Sequence, residues 1–447
     1  MRGFFLNYNA RVRHRRTFAD SVAQSGSEVL LLFVFMLPFQ RVFFLKENLF
    51  GIQGAKPFNL LAAAVFAYLV LQGTLLRSTD KIEQRSIRIF LLYFVTFAIA
   101  LIRSIPNAPL FHSRFPNVFP DSYLDYILSS CIVPAFYVLS FLFILKYMCS
   151  AHELERITTV ICRSITLLSV ALIVMFLMNP SALLSGNRDD VADLCEMYFG
   201  FHYNTIGTIY ICTAPLLLYK VLTRNVLWIV PVGLALVTLL LIQSRSALVT
   251  VSISYCLFLI HRRKFAILIS GAMVVGIASL LWAGPIIDAL LSIGFEDTSD
   301  FSADALMTGR VDFIWVPLLN EWTSDVGLLL FGAGRYGIMT SQLWSTGALF
   351  QATHAHNALI NFFLDCGVIV TAVVIVFLII GVVTAWRVGK SLNSDLYWTL
   401  LICIFGFGIG MMTERDIFPT ESNMFVFPII AMMINLARLR YLRAYRG

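Results

Sequence analysis

The sequence predicts an all-α integral membrane protein with about twelve transmembrane helices. The chain of 447 residues is 59% hydrophobic and 13% charged, and its mean hydropathy is +0.81. Ordinary soluble domains contain roughly 45–50% apolar and about 25% charged residues. The apolar residues form runs long enough to cross about 30 Å of hydrocarbon as helices. The basic residues lie mainly in the short connections between these runs, which is typical of membrane proteins.

The apolar runs set the expected positions of the helices. The first run, EVLLLFVFMLPFQRVFF at 28–44, is too long for a secretory signal and lacks a cleavage site, so we expect it to be retained as the first span. The expected spans lie near 28–46, 57–76, 88–105, 125–146, 157–178, 204–222, 226–243, 246–261, 265–283, 364–386, 396–413 and 423–438. Residues 1–447 are therefore predicted to form a single polytopic membrane domain.

The distribution of basic residues predicts the orientation of the chain. If the N-terminus is cytoplasmic, the inside segments carry about two thirds of the 33 Lys and Arg residues. Residues 1–27 then form a cytoplasmic N-terminal segment, and residues 439–447 form a cytoplasmic tail. Two longer segments, 179–203 and 284–353, fall on the periplasmic side in this orientation.

The segment 284–353 is acidic and too long to be a simple connector. Within it, TGRVDFIWVPLLNEW at 308–322 spaces its apolar side chains as an amphipathic helix does. The apolar face consists of Val311, Ile314, Trp315, Leu318, Leu319 and Trp322. A face rich in aromatic residues predicts a helix that lies on the membrane surface or covers a cavity.

Arg245 is the first candidate functional residue. It lies in LIQSRSALV, a short polar break between two expected spans, so its guanidinium stays near the membrane interface. Moving an arginine to the bilayer centre costs roughly 2.5–3.5 kcal/mol. The guanidinium therefore stays at the interface, where it needs an anionic partner. A functional anion, a lipid headgroup and a structural carboxylate are the alternatives for its partner.

Arg310 is the second candidate, because it opens the amphipathic stretch. The N-terminus of a helix already carries partial positive charge, so a cation there is unfavourable unless the two share an anion. A phosphate group would satisfy both, whereas pairing with Asp312 or another acid of the loop is the alternative. Three further arginines are weaker candidates, namely Arg188, Arg335 and Arg415.

The stretch ATHAHNALINFFLDCGV at 352–368 places two of the seven histidines at the start of an apolar run. If the helix includes residue 354, His356 points away from a polar stripe, because about 200° separates positions i and i+2. That stripe would consist of His354, Asn357, Asn361 and Asp365. If Thr353 or His354 is the N-cap, His356 lies in the first turn instead. A histidine at this boundary suits general-base catalysis, and a wetted helix start is the alternative.

Several kinds of site are not expected. The chain has no HExxH motif and no third ligand at a suitable spacing, so we expect no metal. The eight cysteines include no CxxC pair and lie mostly in apolar segments, where they act as small apolar side chains. The net charge of +7 arises from the loops, so nucleic-acid binding is not expected either.

These motifs together resemble the superfamily of O-antigen ligases and Wzy-type O-antigen polymerases, which are bacterial membrane glycosyltransferases. The resemblance rests on FGFHYNTIG before a span, SRSALV between two spans, GR before an aromatic-rich helix and FGAG, and HAHNALINFFLDCGV at the tenth span. It covers mainly residues 199–386 and keeps the order of the family's motifs. Relatives often carry Glu before the glycine of the last motif. This chain has Asp365-Cys366-Gly367 there, and the resemblance assigns that acid no role.

The resemblance implies transfer of glycan from an undecaprenyl-diphosphate carrier to an acceptor hydroxyl, without metal or cofactor, at the periplasmic face of the bacterial inner membrane. It implies that Arg245 and Arg310 hold the diphosphate and that His356 activates the acceptor hydroxyl. Weaker substrate-binding candidates are His354, Asn357, Tyr203, Asn204, Arg188, Arg335 and Arg415. Which histidine is the base stays open, because the polar stripe includes His354.

The expected reaction has two main forms. A polymerase joins lipid-linked repeat units, whereas a ligase moves the finished chain to lipid A–core, and general frequency favours a polymerase slightly. A protein O-oligosaccharyltransferase is less favoured. So is a transporter or flippase, because the spans hold few charges and the polar residues gather on one side. Expected partners are the lipid-linked donor, a glycan or lipid A–core acceptor, membrane lipids, and a chain-length regulator or flippase.

Overall fold

The computed structural model describes residues 25–42, 45, 49, 56–73, 81–116, 118–184, 187–271, 273, 310–346, 354–412 and 417–446. The regular structure of these residues is helical throughout, and they include no β-strand. Among them, 6 helices are long and apolar enough to cross a membrane. An all-α protein with several helices suited to a membrane is therefore confirmed, while the number of twelve spans and the orientation remain predictions.

The described helices follow one another with mostly short connections. In the N-terminal half they are α1 (Ser25–Phe39), α2 (Pro57–Gly73), α3 (Lys81–Ser104), α4 (Ala108–Arg114), α5 (Tyr123–Tyr147), α6 (Ala151–Met178), α7 (Ser181–Leu184), α8 (Arg188–Phe199) and α9 (Tyr203–Thr223). In the C-terminal half they are α10 (Ile229–Leu241), α11 (Arg245–His261), α12 (Val316–Ser324), α13 (Val326–Phe331), α14 (Gln342–Ser345), α15 (Ala358–Leu392), α16 (Asp395–Met411) and α17 (Val426–Arg446). A π-helical turn, Val311–Trp315, leads directly into α12.

The helices can be compared with the expected spans. The range 265–283 lies largely outside the described residues, as do the N-terminal segment up to residue 24 and the part of the acidic loop before residue 310. Each of the other expected spans overlaps a helix. Hydropathy therefore located these helices, because a helix is the backbone form that satisfies its own polar groups in hydrocarbon.

Polar side chains fix where several helices begin. Ser150 and Glu153 form a capping box at the start of α6, in which the Glu153 backbone N–H donates to Ser150 Oγ at 3.1 Å. The Ser150 backbone N–H donates back to the Glu153 carboxylate at 2.9 Å. At the start of α5, the backbone N–H of Asp125 donates to Ser122 Oγ at 3.1 Å. These bonds satisfy N–H groups that have no partner inside the helix.

Two hydrophobic clusters hold the helices together. The bundle core surrounds α9, in which 89% of the apolar 18-residue stretch is buried. This helix contacts α6, α10, α11 and α16. The lateral core lies beside it and joins α3, α4, α12 and the first part of α15. Its buried members include Phe97, Ala100, Phe111, Tyr126, Ile314, Leu318, Trp322, Phe362, Leu364 and Phe418.

The connections meet at two ends of the bundle. At one end, ion pairs join Glu28 with Arg156, Glu83 with Arg438, Glu155 with Lys220, and Asp395 with Arg262. At the other end, Arg41 pairs with Glu421, and the side-chain amide of Asn357 donates to the carbonyl of Met412 at 3.5 Å. We call this second end the Arg245 end, because α11 begins there. Each of these contacts joins segments that the sequence predicts on the same side of the membrane.

Candidate functional site

A tight turn presents Arg245 at the start of α11. The turn passes through Gln243, which has a left-handed backbone with φ of 53°, and Ser244 is the N-cap residue. Ser244 makes no side-chain capping bond to α11, although serine at this position usually does. The first N–H groups of α11 therefore lack their usual side-chain acceptor.

Two nitrogens of the Arg245 guanidinium are buried without an acceptor among the described residues, although the residue as a whole is partly exposed. Its Nε and Nη2 atoms are shielded from solvent and have no hydrogen-bond partner within the described part of the chain. The hydroxyl of Ser244 is likewise buried without a hydrogen-bond partner in the described part of the chain, and this residue is only 2% exposed. A buried charge without a partner is costly, and folded proteins normally pair such groups. Two donors and a helix N-terminus together provide the chemistry that binds an anionic oxygen.

The start of α9 packs against this turn through Gly207. A Cβ atom on Gly207 would lie 2.5 Å from Ser244 Oγ and 2.9 Å from the Cβ of Ala247. The absence of a side chain at this position therefore lets α9 and α11 approach closely. Tyr203 and Asn204, which the sequence marked as weaker binding candidates, form the first turn of α9 near this contact.

Replacement of Gly207 by alanine is expected to disturb the site and lower stability. Overpacking of this kind costs about 1–3 kcal/mol of the free energy of unfolding, and the methyl group would push Ser244 and Arg245 out of place. Thermal unfolding of the purified protein and binding of the lipid-linked donor measure the two effects. Gly233→Ala in α10 is the matched control, because nothing lies within 4 Å of a Cβ there. Equal behaviour of the two variants would show that the close approach is unimportant.

The helix α16 brings the histidine segment to the same end as Arg245. The Arg262 guanidinium pairs with Asp395, so the last residues of α11 meet the first residues of α16. Further along, a Cβ on Gly406 of α16 would lie 2.9 Å from Ser254 Oγ of α11, so the two helices pack antiparallel. Consequently α16 ends at the Arg245 end, where the Met412 carbonyl accepts the hydrogen bond from Asn357. The candidates Arg245, His356 and Asn357 thus lie at one end of the bundle.

The histidine segment is not helical, and this corrects both predicted registers. The N-cap of α15 is Asn357, whose side-chain oxygen accepts from the backbone N–H groups of Leu359 at 3.0 Å and Ile360 at 3.2 Å. His356 lies before the helix with a left-handed backbone, φ of 51°. The helical separation of His354 from His356 does not apply outside a helix, and their ring centroids are 4.1 Å from each other. Both imidazoles therefore belong to one site.

The predicted polar stripe is occupied by structural contacts. The side-chain oxygen of Asn361 accepts the backbone N–H of Ala355 at 2.7 Å, which folds the histidine segment back over the start of α15. Asn361 is only 5% exposed. The left-handed turn at His356 is therefore held by a buried amide four residues inside the helix, and sequence periodicity carries no signal for such a contact.

The amphipathic stretch covers protein. Part of its apolar face enters the lateral core, where Leu318 and Trp322 are fully buried. The indole N–H of Trp315 donates to the carbonyl of Ala355 at 2.6 Å. This bond ties the helix that begins at Arg310 to the histidine segment. Arg310 is partly exposed and lies just before the π-helical turn.

The weaker arginine candidates have different surroundings. Arg335 forms a buried ion pair with Asp365, with 3.4 Å between Nη1 and Oδ2. Arg188 is the first residue of α8, followed by two acids in the first turn, Asp189 and Asp190. Arg415 lies outside the described residues. Arg335 thus contributes to packing within the lateral core.

Sequence reasoning overlooked a second basic group at the Arg245 end. Arg41 pairs with Glu421 and donates to the carbonyl of Gly200 at 3.3 Å, so it supports the chain that leads into α9. Lys56 lies nearby, and its pKa is lowered by burial and by the Arg41 charge, while Glu421 opposes the shift. The available signal was an arginine within the first apolar run. Ser244 was also overlooked, because a serine in a polar break is unremarkable without its burial.

Comparison with models of known protein families and with curated proteins finds no match to this chain. Among the described residues, no group of three or more His, Cys, Asp or Glu side chains has the arrangement of a metal site. The site consists of Arg245, with two buried guanidinium nitrogens, and a pair of imidazoles, all at one end of the helical bundle.

Proposed function

We propose that the protein is a membrane glycosyltransferase that moves glycan from an undecaprenyl-diphosphate-linked donor to a sugar hydroxyl during assembly of a surface polysaccharide. The observation that carries the proposal is that two nitrogens of the Arg245 guanidinium, Nε and Nη2, are buried without an acceptor among the described residues. A site built in this way stays costly until an anion enters it. The diphosphate of a lipid-linked sugar carries the required negative charge, and its attached lipid holds it at the membrane interface.

The proposed reaction asks little of the protein. The bond between the sugar C1 and the diphosphate oxygen breaks, a new bond forms between C1 and the acceptor oxygen, and the acceptor proton passes to an imidazole. Arg245 would bind the diphosphate and stabilise the charge that develops on it as it leaves, and Arg310 is proposed to assist. His356 would take the proton, since a neutral imidazole serves as a general base near neutral pH.

The resemblance of the motifs to O-antigen polymerases and ligases supports this proposal and adds a location. We propose that the protein lies in the bacterial inner membrane with the Arg245 end facing the periplasm, where the lipid-linked donor is presented. Both polymerase and ligase fit the same chemistry, because they differ only in the acceptor. We favour the polymerase, and we keep the ligase as the alternative.

A reconstitution tests the proposal directly. The purified protein in proteoliposomes receives a lipid-linked glycan as donor, and either a second lipid-linked unit or lipid A–core as acceptor. Extension of the lipid-linked unit is expected for a polymerase, and glycan attached to lipid A–core would identify a ligase. The absence of any transfer, together with unchanged donor in the presence of both acceptors, would contradict the proposed function.

A further inference from the structure

The long helix α15 is interrupted at Gly367, beside the buried carboxylate of Asp365. Gly367 has a left-handed backbone with φ of 77°, and a Cβ there would lie 2.3 Å from the carbonyl oxygen of Leu330. The backbone of α13 therefore passes directly over the break in α15. Asp365 is only 4% exposed. Such a carboxylate is tolerated only when it is paired and hydrogen-bonded.

The segment after α13 binds to this break through its backbone. The N–H of Ala333 donates to the carbonyl of Leu364 at 2.8 Å, and the N–H of Gly334 donates to the carbonyl of Asp365 at 2.9 Å. The N–H of Gly337 donates to the Asp365 carboxylate at 2.8 Å. Three successive contacts therefore fasten the loop to two residues of α15. The carbonyl groups are free to accept because the helix is broken at Gly367.

The guanidinium of Arg335 completes the surroundings of this carboxylate. It pairs with Asp365 and lies over the rings of Tyr336 and Phe418, with 4.5 Å and 5.3 Å from its central carbon to the ring centroids. The backbone N–H of Arg335 also donates to the carbonyl of Ala100 at 2.8 Å. Arg335 thus joins the loop to α15 through its ion pair and to α3 through its backbone N–H.

The helix that precedes this loop also contacts the histidine segment of the candidate site. The indole of Trp322 donates to the carbonyl of Leu364 at 3.2 Å, and the indole of Trp315 donates to Ala355 beside the histidines at 2.6 Å. Arg310 begins the helix that holds both indoles. This helix therefore contacts both the histidine segment and the residue that precedes Asp365.

We propose that Asp365 is a positioning residue, which fixes the loop from α12 to residue 337 so that Arg310 and His356 are held in register. This inference rests on the proposed function for its effect on rate, but the anchoring itself is independent of the reaction. A misplacement of about 1 Å far from the chemistry is enough to lower a rate about 10²-fold. Asp365→Asn keeps the size of the side chain and removes the charge that Arg335 and the Gly337 N–H require.

The test compares Asp365→Asn with Glu83→Gln, a matched control at the opposite end of the bundle. Glu83 is equally buried, at 4% exposed, and its carboxylate pairs with Arg438 at 3.0 Å. We expect Asp365→Asn to lower turnover about 10²-fold, while donor affinity falls less than turnover does, since Arg245 lies on another helix and still binds the diphosphate when the contribution of Arg310 is lost. Glu83→Gln should leave turnover within about threefold, and Asp365→Glu should recover part of the rate because it restores the charge.

Cys366 supplies a native probe of the anchored loop. The residue is only 7% exposed, whereas Cys149 is exposed and serves as the internal reference. A bulky maleimide, quantified by mass spectrometry of the peptides, should label Cys366 at least tenfold faster in Asp365→Asn than in the wild type. The rate at Cys149 should not change. Where Asp365→Asn fails to fold, Arg335→Lys provides the milder variant, because lysine loses the planar contact with both aromatic rings.

The outcomes separate the inference from the proposed function. Full turnover in Asp365→Asn, or a fall in donor affinity equal to the fall in turnover, would overturn the positioning role. Continued protection of Cys366 in that variant would overturn the anchoring. If the wild type transfers no glycan, the proposed function fails, and faster labelling of Cys366 in Asp365→Asn still supports the anchoring of the loop.

Discussion

Replacement of Arg245 by methionine is expected to weaken binding of the lipid-linked donor strongly without lowering the stability of the protein. Losing one partner of a desolvated charge pair costs about 2–5 kcal/mol of binding free energy, which corresponds to roughly 30-fold to 4,000-fold in Kd. Methionine fills a similar volume and adapts to irregular packing. Binding of a soluble diphosphate-sugar analogue, measured by calorimetry in detergent, gives the change in affinity.

The expected effect on stability has the opposite sign from that of most buried substitutions. The Nε and Nη2 atoms of Arg245 are buried without acceptors among the described residues. Removing an unsatisfied polar group of this kind returns about 1–3 kcal/mol, so the unfolding free energy should stay equal or rise. A residue that weakens the empty protein and is required for binding is one kept for its ligand.

The control for this variant is Lys264→Met, which removes the same charge from the turn beyond the other end of α11. Lys264 is exposed, and its substitution should change neither donor affinity nor the unfolding midpoint. Two results would contradict the role of Arg245. One is unchanged donor affinity in Arg245→Met, and the other is a loss of stability large enough to explain the loss of binding.

Replacement of His356 by asparagine is expected to lower glycan transfer by about 10²–10⁴-fold while leaving donor binding intact. Asparagine is chosen because residue 356 has φ of 51°, and asparagine tolerates this left-handed backbone better than alanine does. The substitution therefore removes the proton acceptor and keeps the turn. Single-turnover transfer from bound donor measures the chemical step apart from binding.

A variant of the neighbouring His354 provides the comparison for His356→Asn. The ring of His354 lies 4.1 Å from that of His356, so His354→Asn tests whether the second ring shares the proton. We expect the single-turnover rate to fall by less than about tenfold in this variant, because His356 remains as the base. A fall in His354→Asn that equals or exceeds the fall in His356→Asn would move the proposed base to His354.

The helices of the bundle could be predicted closely from the sequence. The expected span 204–222 is helix Tyr203–Thr223, and 246–261 is Arg245–His261, because hydropathy and polar flanks both mark these ends. The span 364–386 was expected to be shorter than the observed Ala358–Leu392. Asn361 lies before the expected start at residue 364, and hydropathy counts its amide as polar although the side-chain oxygen accepts a hydrogen bond from the backbone of Ala355.

The candidate site could be predicted only in part. The isolation of Arg245 in a polar break identified it, since a cation among apolar residues needs a reason. The juxtaposition of the two histidines could not be predicted, because a backbone bond from Ala355 to Asn361 bends the segment before the helix begins. Likewise, the burial of Asp365 with Arg335 depends on contacts between residues 30 positions apart, for which the sequence has no periodic signal.

The break at Gly367 also separates the two halves of α15 mechanically. Residues before it belong to the lateral core, whereas many residues after it, such as Ile369 and Val376, are more than half exposed on the surface of the bundle. A continuous helix would rotate its first turn by about 100° for every residue inserted further along. With the left-handed break in between, the second half can lengthen, shorten or tilt to match bilayers of different thickness. The histidines would keep their place throughout such changes, so this chain can drift in span length over evolution without losing its site.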